Sequence, residues 1–270
     1  MQIQRKQPKR LLNPATGFLK GYSHTLNPYT GCSFGCTYCY VRQMPVGLFR
    51  REPWGTWVDV KEGTADLLRK ELGKAKTKGP VTIFMSSSTD PYQPLEAKEK
   101  ATRSLLEVMT ELQPDFLFVQ TRSPLVVRDI DLLQRLGNRV RVSMTVETDR
   151  EDIRKAFATY APPIQGRLEA LKRISAAGIP VQAALAPLLP CTESFAERLS
   201  GIVGRVCVDT YFMGDGSQGR RTERLDVKTI YRRLDLLDWY RKDAYLSVIE
   251  QLQQHFAREQ ILISQEGFLP

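Results

Sequence analysis

Three of the chain's five cysteines fall within eight residues, in the run Gly31-Cys32-Ser33-Phe34-Gly35-Cys36-Thr37-Tyr38-Cys39-Tyr40, a C-x3-C-x2-C spacing. Thiolates hold iron–sulfur clusters. A four-iron cubane anchored by three of them keeps one iron open to another ligand. Gly31 and Gly35 let the loop wrap closely round such a group, because glycine enters positive φ and tolerates close backbone approach. The competing assignment is zinc, which normally takes four Cys or His ligands. Cys191, Cys207, His24 and His255 are the remaining candidates for a fourth ligand, and none sits in a second paired knuckle. A bare electron carrier would also need a fourth cysteine. The odd count and the tight trio argue against a disulfide framework and for metal or redox chemistry in a reducing compartment.

Other polar residues cluster where short apolar runs end. The β-rich run Val81–Met85 leads into Ser86-Ser87-Ser88-Thr89-Asp90, Phe116–Thr121 into Arg122-Ser123, Arg139–Glu147 carries Thr145 and Glu147, and Arg205–Met213 carries Tyr211 and Met213. Ile179–Leu185 is a further strand candidate, His24–Thr30 a first one, and Gln260–Ser264 an additional one. Between them lie helical patterns: Ala97–Leu112, a stretch with Val127, Ile130, Leu133 and Leu136, Ile164–Ala177 closed by Gly178, and Ser194–Val203. Strands alternating with helices imply a parallel sheet with right-handed crossovers. The fold class expected is α/β, a partial (β/α)6 TIM-type barrel. In such barrels the reactive groups gather at the C-terminal strand ends, which places all of these residues at one mouth together with the cysteines.

Three regions follow: a basic N-terminal extension (1–21), the partial barrel (22–215), and a helical C-terminal extension (216–270) packed on it. In the last, Ile230, Leu234, Leu237, Tyr240, Tyr245, Val248, Ile249 and Leu252 form an amphipathic pattern suited to core packing. The glycine-rich loop Gly214–Gly219 reads as a lid or a linker.

The chain has 270 residues, 42% hydrophobic and 26% charged, which is ordinary globular usage. No apolar stretch nears the roughly 18 residues of a membrane span, and the start, MQIQRKQPKR, is polar. A soluble, cytoplasmic protein with no membrane partner is expected. Lysine and arginine exceed acidic residues by 39 − 30 = 9, which favours an acidic or polyanionic partner. Arg5, Lys6, Lys9 and Arg10 form one basic cluster and Arg220, Arg221 and Arg224 another. Solvated surface is the plain explanation of both; a DNA or RNA substrate is the functional one.

The cysteine spacing with an aromatic residue before the last cysteine, after the first strand of an α/β chain, resembles the radical S-adenosylmethionine (SAM) superfamily. The string N-P-Y-T-G-C-x3-C-x-Y-C-Y-x-R from Asn27 to Arg42 and T-D-P-Y-Q-P-x-E from Thr89 to Glu96 resemble its spore photoproduct lyase-like (DNA repair photolyase-like) branch. The resemblance spans roughly Tyr22–Asp215. It implies a [4Fe-4S] cluster on Cys32, Cys36 and Cys39 with SAM on the fourth iron. It also implies reductive cleavage to a 5′-deoxyadenosyl radical that abstracts hydrogen, and an external low-potential electron donor of flavodoxin or ferredoxin type. The competing class is a zinc-stapled, basic nucleic-acid-binding module without turnover; a third is a redox sensor.

Cofactor contacts carry over position by position. Tyr38 resembles the residue lying against adenine. Ser87, Ser88 and Asp90 stand where many relatives have a Gly-Gly-Glu-type string that binds the methionyl amine, although Asp90 before Pro91 also suits a turn. Thr145 and Glu147 match polar positions near the ribose or methionyl part. Arg167 could pair with Glu147 or with the cofactor carboxylate, or be a solvated helix arginine. Tyr211 could line the substrate side, with Met213 in the core. The photoproduct lyase carries a hydrogen-donor cysteine at the end of its second strand, where this chain has Ser86–Ser88. That departure weakens thymine-dimer repair by the same route. Cys191, in a loop after Pro190, is left as the candidate hydrogen donor, and Cys207 reads as a small buried hydrophobe.

Overall fold

The computed structural model describes residues 1–270. Its strands are β1 (Gln2–Lys6), β2 (Asn13–Pro14), β3 (His24–Leu26), β4 (Tyr29–Thr30), β5 (Trp57–Lys61), β6 (Thr82–Met85), β7 (Phe116–Thr121), β8 (Val140–Thr145), β9 (Val181–Leu185), β10 (Val206–Val208) and β11 (Ile261–Ile263). One sheet runs in the order β11-β10-β9-β8-β7-β6-β3-β2. From β3 to β11 every pairing in it is parallel, and β2 is antiparallel on β3. The sheet curls without closing, the α/β partial barrel that the strand–helix alternation calls for, with β11 as a seventh parallel strand.

Strand alternation divides the core. Ile83, Met85, Leu117, Val119, Val142 and Met144 belong to the large apolar cluster under the helices, while Phe84, Phe118 and Cys207 face inward in a second cluster. Phe84 and Phe118 stack at 5.0 Å. Along the chain direction, this interior gives way to Ser86, Gln120 and Thr145, so the floor of the mouth is polar above and aromatic below.

Several elements differ from the sequence expectation. The first strand is split: Asn27 and Pro28 turn the chain out of the main sheet after Leu26, and Tyr29–Thr30 pairs antiparallel with β5 in a small three-stranded sheet, order β1-β5-β4. Residues Gln2–Lys6 are the parallel edge strand of that sheet, and Leu11 and Leu12 are buried in the main core. Lys100, in left-handed conformation (φ 52°), breaks the expected helix into Glu96–Glu99 and Ala101–Glu111. Strand β10 stops at Val208, and Tyr211 and Met213 lie on a short helix, Tyr211–Gly214. Met213 is half-buried there rather than a core residue.

The C-terminal region forms helices Val227–Arg233 and Tyr245–Gln253. Val248, Leu252 and Phe256 join the main core, and Val227 and Tyr231 join the cluster behind the cysteines. The open seam of the barrel is bridged by both ends of the chain: Gln265 Nε2 donates to the Phe18 carbonyl at 2.6 Å, and Phe18 packs on Phe268 with ring centroids 5.8 Å apart.

Candidate active site

A cavity of ≈ 570 Å³ opens at the C-terminal strand ends, and Cys32, Cys36 and Cys39 all lie on its wall. The loop that carries them is held from three sides. Thr89 Oγ1 (2.5 Å) and Gln93 Nε2 (3.3 Å) both donate to the Gly31 carbonyl, and the Ser33 amide donates to Gln93 Oε1 at 2.9 Å. The Tyr29 hydroxyl donates to the buried Glu96 carboxylate. The T-D-P-Y-Q-P-x-E string is thus a clamp on the cysteine loop. On a second side, the amide and hydroxyl of Thr37 both donate to the Phe157 carbonyl at 2.9 Å. On the third, Gly31 (φ +84°) lies against Trp57, where an added Cβ would come within 2.6 Å of the indole, and Gly35 (φ +57°) lies against Gly55.

Of the strand-end residues singled out from the sequence, Ser87, Ser88, Asp90 and Thr145 line the same cavity, as does Tyr38. Asp90 acts in the wall itself. Its carboxylate accepts from the Tyr92 amide (2.9 Å), the Thr121 hydroxyl (2.7 Å) and the Arg122 amide (2.9 Å), tying the loop after β6 to the end of β7. Ser87 is fixed through Asn27, whose Nδ2 donates to its hydroxyl at 3.2 Å, and Tyr40 donates to its carbonyl at 3.0 Å.

Glu147 and Arg167 stand one layer back, off the cavity wall. Glu147 accepts from the Tyr38 hydroxyl, from Arg122 Nη1 at 2.5 Å and from Arg167 Nη1. Burial opposes its charge, but Arg167 and Arg122 outweigh burial and pull the carboxyl down to about 2. Arg167, fully buried, also donates to the carbonyls of Pro162 (3.0 Å) and Thr145 (3.1 Å). Its place is the ion network and not the solvated helix face. The sequence placed Arg122 among the polar strand ends at the mouth without giving it a role, and it is the residue that links this network to the cysteines: its Nη1 also lies 3.1 Å from Cys36 Sγ and 2.7 Å from the Tyr38 hydroxyl. The available signal was an arginine directly following a strand's last residue, inside an otherwise hydroxyl-rich end.

Cys191 and Cys207, and with them His24 and His255, do not line the cavity. Cys191 packs against the main core beside Asp149 and Arg150, and burial pushes its thiol up to about 12. Cys207 is buried under Ser264 and Gly267. The hydrogen-donor role considered for Cys191 is therefore not supported: proline-bounded turns carry its loop away from the mouth.

Asp209, Thr210, Tyr211 and the loop from Gly214 also line the cavity, the Tyr211 ring 6.1 Å from that of Tyr38. That loop is wound round Asp215, whose carboxylate accepts from the amides of Ser217 (2.7 Å), Gly219 (2.9 Å) and Arg221 (3.0 Å). Asp209, 7% exposed, accepts from the Thr210 amide at 3.0 Å, and burial raises its carboxyl to about 7.

Comparison with known proteins decides what this constellation belongs to. The Radical SAM superfamily model matches residues 26–198. The chain belongs to the radical SAM superfamily. Over 190 residues it is 32% identical to an uncharacterized protein of Methanocaldococcus jannaschii, covering 70% of this chain and 69% of that one. It is also 28% identical over 189 residues to an uncharacterized protein of Mycobacterium tuberculosis, covering 68% of this chain and 55% of the other. Among solved structures, a spore photoproduct lyase variant superposes with a TM-score of 0.66 at 14% identity, covering 97% of this chain and 81% of that one. A variant of the same enzyme with bound AdoMet and dinucleoside spore photoproduct gives 0.66 at 16% identity, with the same coverage. SuiB of Streptococcus suis bound to S-adenosylmethionine gives 0.51 at 14% identity, covering 77% of this chain and 47% of that one. At these identities the structural likeness establishes the fold.

This radical SAM enzyme is of a class that implies a [4Fe-4S] cluster and SAM, and the residues present fit both. The three thiols share one wall of the cavity. A cluster gives each thiolate an iron of its own. Burial raises all three thiols, Cys39 to about 12, while Arg122 works against the rise at Cys36. Loading the loop therefore has to expel protons. Ser86 Oγ, Gln120 Oε1 and Thr210 Oγ1 are buried on the cavity wall without a partner, the mark of a site built for a polar ligand. No helix is long and apolar enough to cross a membrane.

Proposed function

We propose that Cys32, Cys36 and Cys39 hold a [4Fe-4S] cluster, that SAM binds in the adjoining cavity, and that the enzyme abstracts hydrogen from a phosphate-bearing, nucleic-acid substrate. The observation that carries the reading is the sharing of one cavity wall by three thiols and by unpartnered hydroxyl and amide groups at three strand ends. When bound, the two groups supply a one-electron reductive cleavage that gives methionine and a 5′-deoxyadenosyl radical.

The chain's own residues then bind, orient and shield. Tyr38, fixed by Glu147 and Arg122, offers a ring whose position survives side-chain motion because its hydroxyl is tied in a buried ion network. Arg122 presents positive charge beside Cys36, and hydrogen bonds to cluster sulfurs and nearby charge are among the levers that set cluster potential. Ser86, Gln120 and Thr210 have free hydrogen-bonding capacity for the methionyl and ribose groups. Phe84, stacked on Phe118, floors the cavity and keeps water out of its lower part.

The nucleic-acid part is supported by charge placement. Arg221 lies on the cavity wall, with Arg220 and Arg224 exposed beside it, whereas in the N-terminal cluster Arg5 is paired with Glu62 and Glu99 and Lys6 with Asp59. A spore photoproduct lyase of the same fold binds a dinucleoside photoproduct. Here no thiol besides the three cluster cysteines lines the cavity, which supports a reaction that ends without a thiol hydrogen donor.

Anaerobic reconstitution with iron and sulfide, reduction, and chromatography of the SAM products test the catalytic reading. Release of 5′-deoxyadenosine is expected, and a colourless protein with stoichiometric zinc would overturn it. For the substrate, DNA or RNA affinity should fall steeply with salt, because neutralised phosphates release counterions. Affinity unchanged between low and moderate salt would remove the nucleic acid and leave the radical chemistry standing.

A further inference from the structure

Of the eight large apolar side chains left exposed, three sit in segments packed on the cysteine loop: Leu48 (56%), Phe49 (87%) and Tyr160 (74%). None of the three lines the cavity. The helix Pro45–Leu48 is pressed onto the turn that follows Cys39, so closely that a Cβ on Gly47 would lie 2.7 Å from the Val41 carbonyl oxygen. Tyr160 lies beside Gly35, a Cβ there meeting its ring at 3.8 Å, and the other cover of Gly35 is the backbone of Gly55 next to Trp54. Between Cys32 and Cys36, then, the loop is backed by glycine against glycine and by aromatic rings. Gly35 lines the cavity while Tyr160, packed against it, faces solvent, so the cover of the loop is thin here.

The unpaired charges on this face are positive. Glu52, Glu151 and Asp152 are taken up by Arg50, Arg154 and Arg150. Arg42, which donates to the Thr37 carbonyl at 2.9 Å, and Arg51 and Lys155, which are exposed, have no carboxylate partner. Exposed aromatic and aliphatic groups ringed by unpaired cations are the composition of an interaction surface and not of ordinary solvated backbone cover.

We propose that this face docks an acidic one-electron carrier protein, its carboxylates meeting Arg42, Arg51 and Lys155 and the apolar rim of its redox group meeting Phe49 and Tyr160; the proposal rests on the cluster assignment above. The cavity side is where SAM and substrate bind, so the electron enters from behind the loop. One electron passes per encounter: the carrier's reduced flavin loses it and the cluster gains it, with no bond made or broken. A nucleic acid would also meet cations and an aromatic side chain, but its proposed place is the mouth near Arg221, on the cavity side.

The test follows the second-order rate of cluster bleaching by flavodoxin hydroquinone, with dithionite as a small-molecule control. An Arg51→Glu/Lys155→Glu variant should slow flavodoxin on the order of tenfold at low salt and flatten its salt dependence, since steering by charge raises association rates by about 10 to 1,000-fold. Phe49→Ser should slow it at high salt as well. Both should leave dithionite reduction within about twofold. A flavodoxin rate unchanged in the charge-reversal variant overturns the proposal, as does loss of duplex DNA binding with the flavodoxin rate intact. Titration of oxidised flavodoxin into the metal-free chain gives a readout independent of the cluster, and the same variants should weaken it. A parent chain that assembles no iron–sulfur chromophore refutes the cluster assignment instead, and that titration then decides the surface.

Discussion

Replacing Glu147 by glutamine removes the only carboxylate between two buried guanidinium groups. Arg167 is fully buried and would lose its ionic partner where water cannot reach it, while Arg122, 15% exposed at its side chain, would lose its partner at the cavity wall. The size can be worked from the carboxyl itself. Its pKa falls from 4.5 to about 2 on folding, and at 1.36 kcal/mol per unit this is about 3 kcal/mol of stability at neutral pH. The same order, about 3–5 kcal/mol, is typical for breaking a buried pair from one side. The sign follows from the direction: a depressed carboxyl contributes fully above its unfolded value and loses the contribution as pH falls through the folded one. Denaturant unfolding of the metal-free parent and of Glu147→Gln should therefore differ by about 3 kcal/mol at pH 7, converge as pH falls from 4.5, and coincide near pH 2. Adding Arg167→Met to Glu147→Gln should restore part of the loss, because the uncompensated cation is then gone. A Glu147→Gln variant within about 1 kcal/mol of the parent at pH 7 would refute the ion-network account of this layer.

Cys36→Ala should abolish both iron binding and 5′-deoxyadenosine release while leaving the circular dichroism of the metal-free chain unchanged; full iron content in that variant would show the ligand set to be wrong. Gly55→Ala, at φ +95° with its new Cβ 2.9 Å from the Gly35 Cα, should cost about 2 kcal/mol and lower the iron content after reconstitution, and unchanged melting would disprove the tight backing of the loop. Asp209 titrates in the opposite sense from Glu147. Burial raises it from 3.8 to about 7, so its charge opposes folding increasingly between those values, and Asp209→Asn should stabilise the metal-free chain at pH 8 by up to about 4 kcal/mol with no gain below pH 4. Equal pH profiles for parent and variant would refute the burial of that carboxyl.

The superfamily and the α/β architecture are legible in the chain alone. A C-x3-C-x2-C run can be read without a fold because all three ligands come from one short loop, and parallel strands can be read because apolar runs buried on both faces alternate with helical periods. The polar strand ends also carried their meaning locally: Ser87, Ser88, Asp90 and Thr145 reach the cavity because a parallel barrel delivers every strand's C-terminus to the same end. The tertiary structure decided everything that depends on groups distant in the chain. Arg122 meets Cys36 across 86 residues and Glu147 across 25, and no local pattern encodes such a partner. The clamp of Thr89, Gln93 and Glu96 on Gly31, Ser33 and Tyr29 spans about sixty residues, so the second string could be recognised but its job could not. The same reason separates Glu147 and Arg167 from the cavity and leaves Cys191 outside it: a residue's number along a strand fixes which end it occupies, while its depth and its neighbours are set only when the strands, the cysteine loop and the terminal segments pack against one another.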